Sequence, residues 1–232
     1  MTFPSLPPLP PLSPAAPPAP ERSVDGDGSL SSPLGRAAVL MVGYLVLLWV
    51  LDLVNNVQHR ALNADLGIEP RQPDRLPEIF TAPFLHGSVA HLAANAMPLF
   101  GLGLIAALTG VRRFIAVTAV IVVVSGLGVW LFGPSNTVTV GASGIVFGYF
   151  GYLVLRGLID RRPVDVVVAA GVAIAYGYML PGVLPGQEGI SWQGHASGVV
   201  GGVLAAWLFR RRRPKPPAEP TTPALTMPPP PG

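Results

Sequence analysis

The chain of 232 residues contains no cysteine, which excludes disulfide bonds and thiolate metal ligands. Charged side chains are also scarce, at 12% of residues, whereas they make up about 25% of a soluble domain. Hydrophobic residues make up 50% of the chain. This balance is typical of a protein whose solvent is a lipid bilayer. The small net charge of +3 therefore indicates orientation across a membrane rather than nucleic-acid binding.

Proline dominates both ends of the chain, as in "PSLPPLPPLSPAAPPAP" and "RPKPPAEPTTPALTMPPPPG". Proline interrupts helices, and these stretches have too few apolar side chains to build a core. We therefore expect disordered tails at residues 1–35 and 214–232. The N-terminal tract lacks a basic segment followed by an apolar one, so no cleaved signal peptide is expected. "PPLPPL" could dock into an SH3-like groove, but a solvated linker is the favoured interpretation.

Residues 36–213 between the tails contain six apolar blocks separated by short charged or Pro/Gly-rich segments. Blocks of about 20 residues are long enough to cross a bilayer as a helix. The sequence therefore predicts an all-α membrane protein with six transmembrane helices. The predicted spans are about Ala37 to Val54, Ser88 to just before Arg112, Phe114 to Phe132, Ser143 to Ile159, Val164 to Leu180, and Gly194 to Phe209.

Most basic residues lie on one side of this six-span threading. They are Arg36, Arg112, Arg113, Arg156, Arg161, Arg162, Arg210 to Arg213, and Lys215. The positive-inside rule predicts that this side, with both tails, is cytoplasmic. The long loop on the other side, Asn55 to Gly87, holds only three arginines.

Five polar residues stand inside or at the edge of spans two, four and six: His86, His91, Asn95, Ser143 and His195. Polar groups at membrane depth indicate a functional site. His91 and Asn95 are four residues apart and share a helical face, while His86 precedes the same helix. A helix rises about 1.5 Å per residue. At that rise, Asn95, Ser143 and His195 lie roughly 26, 27 and 22 Å from the cytoplasmic arginine at the end of their own span. Their similar depth predicts one shared site.

Small residues show where two helices can approach closely. Five glycines form such ridges, Gly144 and Gly148 on span four and Gly194, Gly198 and Gly202 on span six. Ser143 and His195 each stand one residue from a ridge, so a close crossing of these spans would bring the hydroxyl and the imidazole together.

Such a pair fits nucleophilic catalysis, because a serine needs a neighbouring base to accept its proton. No carboxylate lies at the depth of His195, so a Ser143–His195 dyad is predicted, with Phe147 stacking on the imidazole. His91, Asn95 and the Ser143 backbone N–H are candidate donors to an oxyanion, and His86 is expected to shape a water-accessible cavity. Two plainer interpretations stand beside this one. Ser143 alone is more typical of a helix-packing residue, and His86 with His91 could bind a metal, although a third ligand is missing.

The stretches "FLHGSVAHLAAN", "GASGIVFGYFGY" and "GHASGVVGG", in this order on spans two, four and six, resemble the rhomboid family of intramembrane serine proteases. The resemblance covers roughly Arg36 to Arg213. It implies cleavage of peptide bonds in or near the transmembrane segments of membrane proteins, with Ser143 as nucleophile and His195 as base.

The resemblance also makes His91 and Asn95 oxyanion donors, gives His86 a mainly structural role, and places Gly141 in the loop before the nucleophile. It implies no metal and no organic cofactor, and together with the Ala/Pro/Arg-rich composition it points to a bacterial plasma membrane. The chain departs from many members at two points. Its long first loop has "DRL", with Arg75, instead of a Trp-Arg pair, and Phe147 stands where a tyrosine is common.

Two other functions are compatible with six such spans. An inactive rhomboid-like protein would bind transmembrane helices without cleaving them, but inactive relatives usually lose the serine or the histidine, and this chain has both. A solute channel or transporter would show repeated halves with broken spans near the midplane. The sequence has no such repeat.

Overall fold

The computed structural model describes residues 30–211, and most of these residues are helical. The α-helices of this part are α1 (Pro33–Val57), α2 (Ala61–Leu66), α3 (Val89–Ala107), α4 (Val111–Phe132), α5 (Ser143–Asp160), α6 (Pro163–Tyr176) and α7 (Trp192–Leu208). Three short 3-10 helices cover Pro73–Ile79, Ala82–Phe84 and Gly177–Val183. The predicted C-terminal tail and residues 1–29 of the N-terminal one lie outside the described residues.

The all-helical membrane fold predicted from the sequence is confirmed, and the six predicted spans overlap α1, α3, α4, α5, α6 and α7 in turn. The count of spans needs a correction. Four helical segments are long and apolar enough to cross a bilayer, namely Pro33–Val57, Val89–Ala107, Val111–Phe132 and Pro163–Val183. The helices α5 and α7 are not among them.

The reason lies in where α5 and α7 sit. Helix α5 packs against α3, α4, α6 and α7, and helix α7 packs against α4 and α5. Because neighbouring helices cover so much of their surface, these two central helices can carry glycine and polar side chains that lipid would penalise. They are also short, with 18 residues in α5 and 17 in α7.

Glycines let the two central helices approach backbone to backbone. A side chain at Gly198 would collide with the carbonyl oxygen of Gly144, and one at Gly202 with the carbonyl oxygen of Gly148. A side chain added at Gly144 would meet Ser125 of α4, and one added at Gly148 would meet Ile121 of the same helix. One added at Gly194 would meet Val129, also of α4. The glycine ridges therefore serve a three-helix contact among α4, α5 and α7.

The long loop between α1 and α3 is folded and tied to the bundle. Arg75 donates to the carbonyl oxygens of Ala64 and Gly67 at 2.6 and 3.4 Å and forms ion pairs with Glu69 and Glu78. This single arginine therefore gathers the loop around itself. The loop itself contains no tryptophan, but the indole N–H of Trp130, from α4, donates to the Gln72 carbonyl oxygen at 2.9 Å.

A second arginine fastens the same loop to the end of α4. The Arg71 guanidinium donates to the carbonyl oxygens of Leu131 and Gly133, at 3.2 and 2.8 Å, and to the Ser135 hydroxyl at 2.6 Å. The last carbonyls of a helix have no partner within it. Arg71 supplies hydrogen-bond donors to two carbonyls at this helix end. It thereby holds the loop beside the segment that leads to Ser143.

Candidate active site

Ser143 and His195 meet at the crossing of the two central helices. Ser143 is the first residue of α5, and His195 lies in the first turn of α7. The Ser143 Oγ and His195 Nε2 atoms are 2.8 Å apart, which is hydrogen-bond distance. His195 is 8% exposed. A hydroxyl and an imidazole are thus joined inside the helix bundle.

Two groups fix the plane and the tautomer of the His195 ring. The ring of Phe147 stacks on it with a centroid distance of 4.1 Å and an interplanar angle of 17°. On the other nitrogen, Nδ1 lies 2.9 Å from the carbonyl oxygen of Gly182. A carbonyl oxygen can only accept, so Nδ1 carries the proton. Nε2 is then free to accept the hydrogen of the Ser143 hydroxyl.

Gly182 is a residue of the candidate site that the sequence did not reveal. It lies in the 3-10 helix Gly177–Val183 that follows α6. The absence of a carboxylate near His195 was predicted, but a backbone carbonyl has no residue type to search for. The sequence signal that was available is the Pro181–Gly182 pair, because it marks a turn at the end of a span.

His91 and Asn95 flank the loop that precedes the serine. Gly141 has φ +130°, a conformation that favours glycine. A Cβ atom there would lie 2.8 Å from His91 Cε1, 3.0 Å from His91 Nε2 and 3.9 Å from Asn95 Nδ2. Both side chains are therefore packed against the backbone two residues before Ser143. Within residues 30–211, the buried Nδ2 of Asn95 has no hydrogen-bond partner.

The start of α5 adds a further donor. Its N-cap residue, Ala142, makes no side-chain cap, and the first N–H groups of a helix have no acceptor within it. The Ser143 N–H is the first of these groups. His91 and Asn95 line the same cavity as Ser143, so three potential hydrogen-bond donors lie in this part of the bundle.

A cavity of about 990 Å³ opens onto these groups. Ser143, His195, His91, Asn95 and Phe147 all line it. Apolar side chains make up much of the remaining wall, among them Ile68, Ile79, Val129, Val146, Met179 and Trp192. The cavity thus joins the serine and the imidazole to a partly apolar wall.

His86 lies behind this cavity rather than in its wall. It is fully buried, and its Nε2 lies 3.4 Å from the Ala142 backbone nitrogen, whose N–H it accepts. Its ring meets that of His91 edge-on, at a centroid distance of 5.2 Å. Burial, with help from His91, lowers the pKa of His86 to about 4, so the ring is neutral at neutral pH. His86 thus supports the loop before Ser143 through its hydrogen bond with Ala142.

An ion-pair network that the sequence analysis missed holds His86. Arg60 pairs with the buried Asp52 of α1 and donates to the carbonyl oxygen of His86 at 3.0 Å. Asn63 donates to the same carbonyl at 3.1 Å and accepts from Asn55 at 2.8 Å. The sequence signal for this network was Asp52, an aspartate inside an apolar block. A buried carboxylate is seldom left unpaired, so a cationic partner could have been expected.

Replacing Asp52 by alanine is expected to destabilise the protein by about 3 kcal/mol, because it leaves the Arg60 guanidinium without its anion. Removing one partner of a buried ion pair usually costs about 3 to 5 kcal/mol. The low end of that range is expected here because the Arg60 side chain is 21% exposed. Denaturant titration of the purified protein in detergent would measure the change. Asp65→Ala on the exposed side of α2 is the control, and equal losses in the two variants would contradict a special role for Asp52.

The alternative of a histidine metal site finds no third ligand. Among residues 30–211, no three histidine, aspartate or glutamate side chains come together in a group that could hold a metal ion.

Comparisons with known proteins agree with the motifs on the helices. Residues 73–212, from the loop before α3 through α7, match the sequence profile of the Rhomboid domain. An uncharacterized protein of Mycobacterium tuberculosis is 40% identical over 174 residues, which are 72% of each chain. An uncharacterized protein of Mycobacterium leprae is 38% identical over 74% of this chain and 70% of its own. The rhomboid protease GluP of Bacillus subtilis is 26% identical over 55% of this chain and 25% of its own length.

Proposed function

The chain belongs to the rhomboid family and is an integral, multi-pass membrane protein, and from this premise we propose that it is an intramembrane serine endopeptidase. Its substrates are proteins with a transmembrane segment, which it cleaves in or near that segment. The observation that carries the proposal is the 2.8 Å contact between Ser143 Oγ and His195 Nε2. Asn95 lines the same cavity, and within residues 30–211 its buried Nδ2 has no hydrogen-bond partner.

The proposed reaction begins with attack of Ser143 Oγ on the substrate carbonyl carbon, while the hydroxyl proton passes to His195 Nε2. The Gly182 carbonyl holds Nδ1–H during this step and keeps the ring in the tautomer that can accept. The resulting oxyanion is bound by the Ser143 N–H, by the Asn95 amide and by His91. No carboxylate takes part, so the catalytic pair is a dyad.

The C–N bond then breaks as His195 returns its proton to the leaving amine, and the acyl group remains on Ser143. A water molecule attacks this ester, His195 accepts one of its protons, and the same proton goes back to Ser143 Oγ as the acid is released. The cavity of about 990 Å³ supplies room for this water. A substrate helix must unwind locally to enter, because its backbone groups are bonded within the helix.

The test of this function is cleavage of a model transmembrane substrate by the purified chain in liposomes. Mass spectrometry of the products would place the cleaved bond in or near the membrane segment. The competing proposal is an inactive family member that binds transmembrane helices. Stable binding of the substrate without any product, under conditions where a serine-directed fluorophosphonate also fails to react, would favour that alternative.

Asn95→Ala is expected to lower kcat by about 100-fold while KM changes little, because a donor to the oxyanion acts mainly in the transition state. Rates of product formation at several substrate densities in liposomes would separate the two constants. Met97→Ala is a control on the same helix, since Met97 is 78% exposed. A change confined to KM would assign Asn95 to substrate binding instead.

We also propose an orientation of the chain in a bacterial plasma membrane. The arginine-rich turns at Arg112 and Arg161 face the cytoplasm, and the cavity opens toward the outside. The chain has no cysteine, so single cysteines can be introduced without background. A cysteine at Ser135 should react with an impermeant thiol reagent on intact cells, and one at Arg161 only after the cells are broken. The reverse pattern would overturn the orientation.

A further inference from the structure

A second cavity lies at the end of the bundle opposite to Ser143. It has a volume of about 490 Å³ and sits between the start of α1 and the turn that joins α3 to α4. Three arginines line it, Arg36 from α1 and Arg112 with Arg113 from α4. None of these residues takes part in the proposed reaction.

Within residues 30–211, no acidic side chain balances the charge of this cavity. No aspartate or glutamate is among its lining residues. Within residues 30–211 none of the three arginines forms an ion pair, whereas Arg60, Arg75 and Arg156 do. The Nε of Arg113 is buried and has no hydrogen-bond partner in that part of the chain. In the described part of the chain, three arginines thus line one cavity with no carboxylate to pair with them.

The backbone adds to the same positive potential. Helix α4 begins after Gly110, makes no side-chain cap and has no acidic residue in its first turn. Arg112 and Arg113 stand in that turn, where their charge has the same sign as the helix dipole. Arginines at a helix N-terminus destabilise it unless an anion lies nearby. The local electrostatics therefore favour a bound anion.

The position of the cavity indicates what kind of anion it takes. It lies where α1 and α4 begin and α3 ends, and all three are long and apolar enough to span a membrane. The cavity is thus at the level of the lipid headgroups. Its rim is apolar and exposed, with Leu108 at 46% and Val111 at 40%, and Leu34 nearby is 58% exposed. A ligand with both a phosphate and acyl chains fits this surface better than a small anion does.

We propose that Arg36, Arg112 and Arg113 form a binding site for the phosphate of an anionic phospholipid, whose acyl chains lie along the apolar surface of α1 and α4. Arginine suits this task because its planar fork of donors can bind two phosphate oxygens at once. Basic pockets at the ends of transmembrane helices are a recurring form of lipid recognition. The site does not depend on the proteolytic function.

Native mass spectrometry of the full purified chain in detergent would test the proposal, with phosphatidylglycerol as the probe. We expect phosphatidylglycerol to bind at least tenfold more tightly than phosphatidylcholine. Since each arginine near a membrane surface contributes about fivefold in affinity, Arg112→Gln/Arg113→Gln should weaken phosphatidylglycerol binding about 25-fold. Arg36 is exposed, so Arg36→Gln should fold normally and weaken binding about fivefold.

The matched control is Arg161→Gln/Arg162→Gln, which removes two charges from the α5–α6 turn at the same end of the bundle. It should change phosphatidylglycerol affinity by less than twofold. Equal losses in the two double variants would overturn the site, because general attraction to basic residues would then explain the binding. Displacement of phosphatidylglycerol by equimolar inorganic phosphate would overturn the lipid assignment and leave a free-phosphate site. If the double variant does not purify, an unchanged affinity in Arg36→Gln would contradict the proposal by itself.

Discussion

Ser143→Ala is expected to reduce cleavage of a transmembrane substrate by roughly six orders of magnitude, the loss found when the nucleophile of a serine protease is removed. In the proposed reaction the serine oxygen forms the covalent bond, and within residues 30–211 no other hydroxyl is hydrogen-bonded to His195. Product formation in liposomes would measure the loss. Labelling by a fluorophosphonate should disappear in the same variant.

His195→Ala should cause a similar loss, and the double variant should be no slower than either single one. Groups that act as a unit in one step show such non-additivity. Ser197→Ala is the matched control, because Ser197 lies on the same helix two residues beyond the histidine and packs against Gly128 of α4. Cleavage at the wild-type rate by Ser143→Ala, or a double variant whose losses multiply, would refute the dyad.

Gly198→Val is expected to lower activity by about 1000-fold and to destabilise the fold. Even a Cβ at this position would lie within 3.1 Å of the Gly144 carbonyl carbon and would collide with its oxygen. Helix α7 must then move away from α5, and His195 lies only one turn from the substitution. A displacement of 1 Å can cost about 100-fold in rate, and the branched valine demands more than that.

A control variant distinguishes this expected loss of activity from the general effect of placing a valine in a helix. Gly171 on α6 is exposed, and a Cβ added there would meet no atom within 4 Å, so Gly171→Val should retain most of the activity. Fluorophosphonate labelling and thermal unfolding of both variants would provide the comparison. Full activity in Gly198→Val would mean that the close crossing of α5 and α7 does not position the Ser143–His195 pair.

The sequence predicted the helices well where apolar length was the only requirement. Spans such as Val111–Phe132 are continuous apolar blocks, and lipid imposes that composition on them. The same criterion was least informative for α5 and α7, because neighbouring helices cover much of their surface. For these helices the glycine spacing predicted the close crossing, and the polar residues predicted the shared site.

The parts that could not be predicted depend on contacts between distant segments. Asp52 and Arg60 support His86 through its backbone, and the Gly182 carbonyl orients His195. A main-chain acceptor is present at every residue, so no sequence pattern distinguishes the one that is used. The short helix Ala61–Leu66 and the 3-10 turns of the long loop lack the apolar periodicity that marks longer elements.

The use of a main-chain oxygen to orient His195 has a consequence for how this site can change over generations. An aspartate in that role could be lost through a single codon change, but no substitution removes a carbonyl from the backbone. A carboxylate would also add a full charge in surroundings of low dielectric constant, which costs several kcal/mol. The orienting group is therefore robust to mutation and adds no ion to the interior. Selection acts on it only indirectly, through residues that set the path of the chain, such as Pro181 and Gly182.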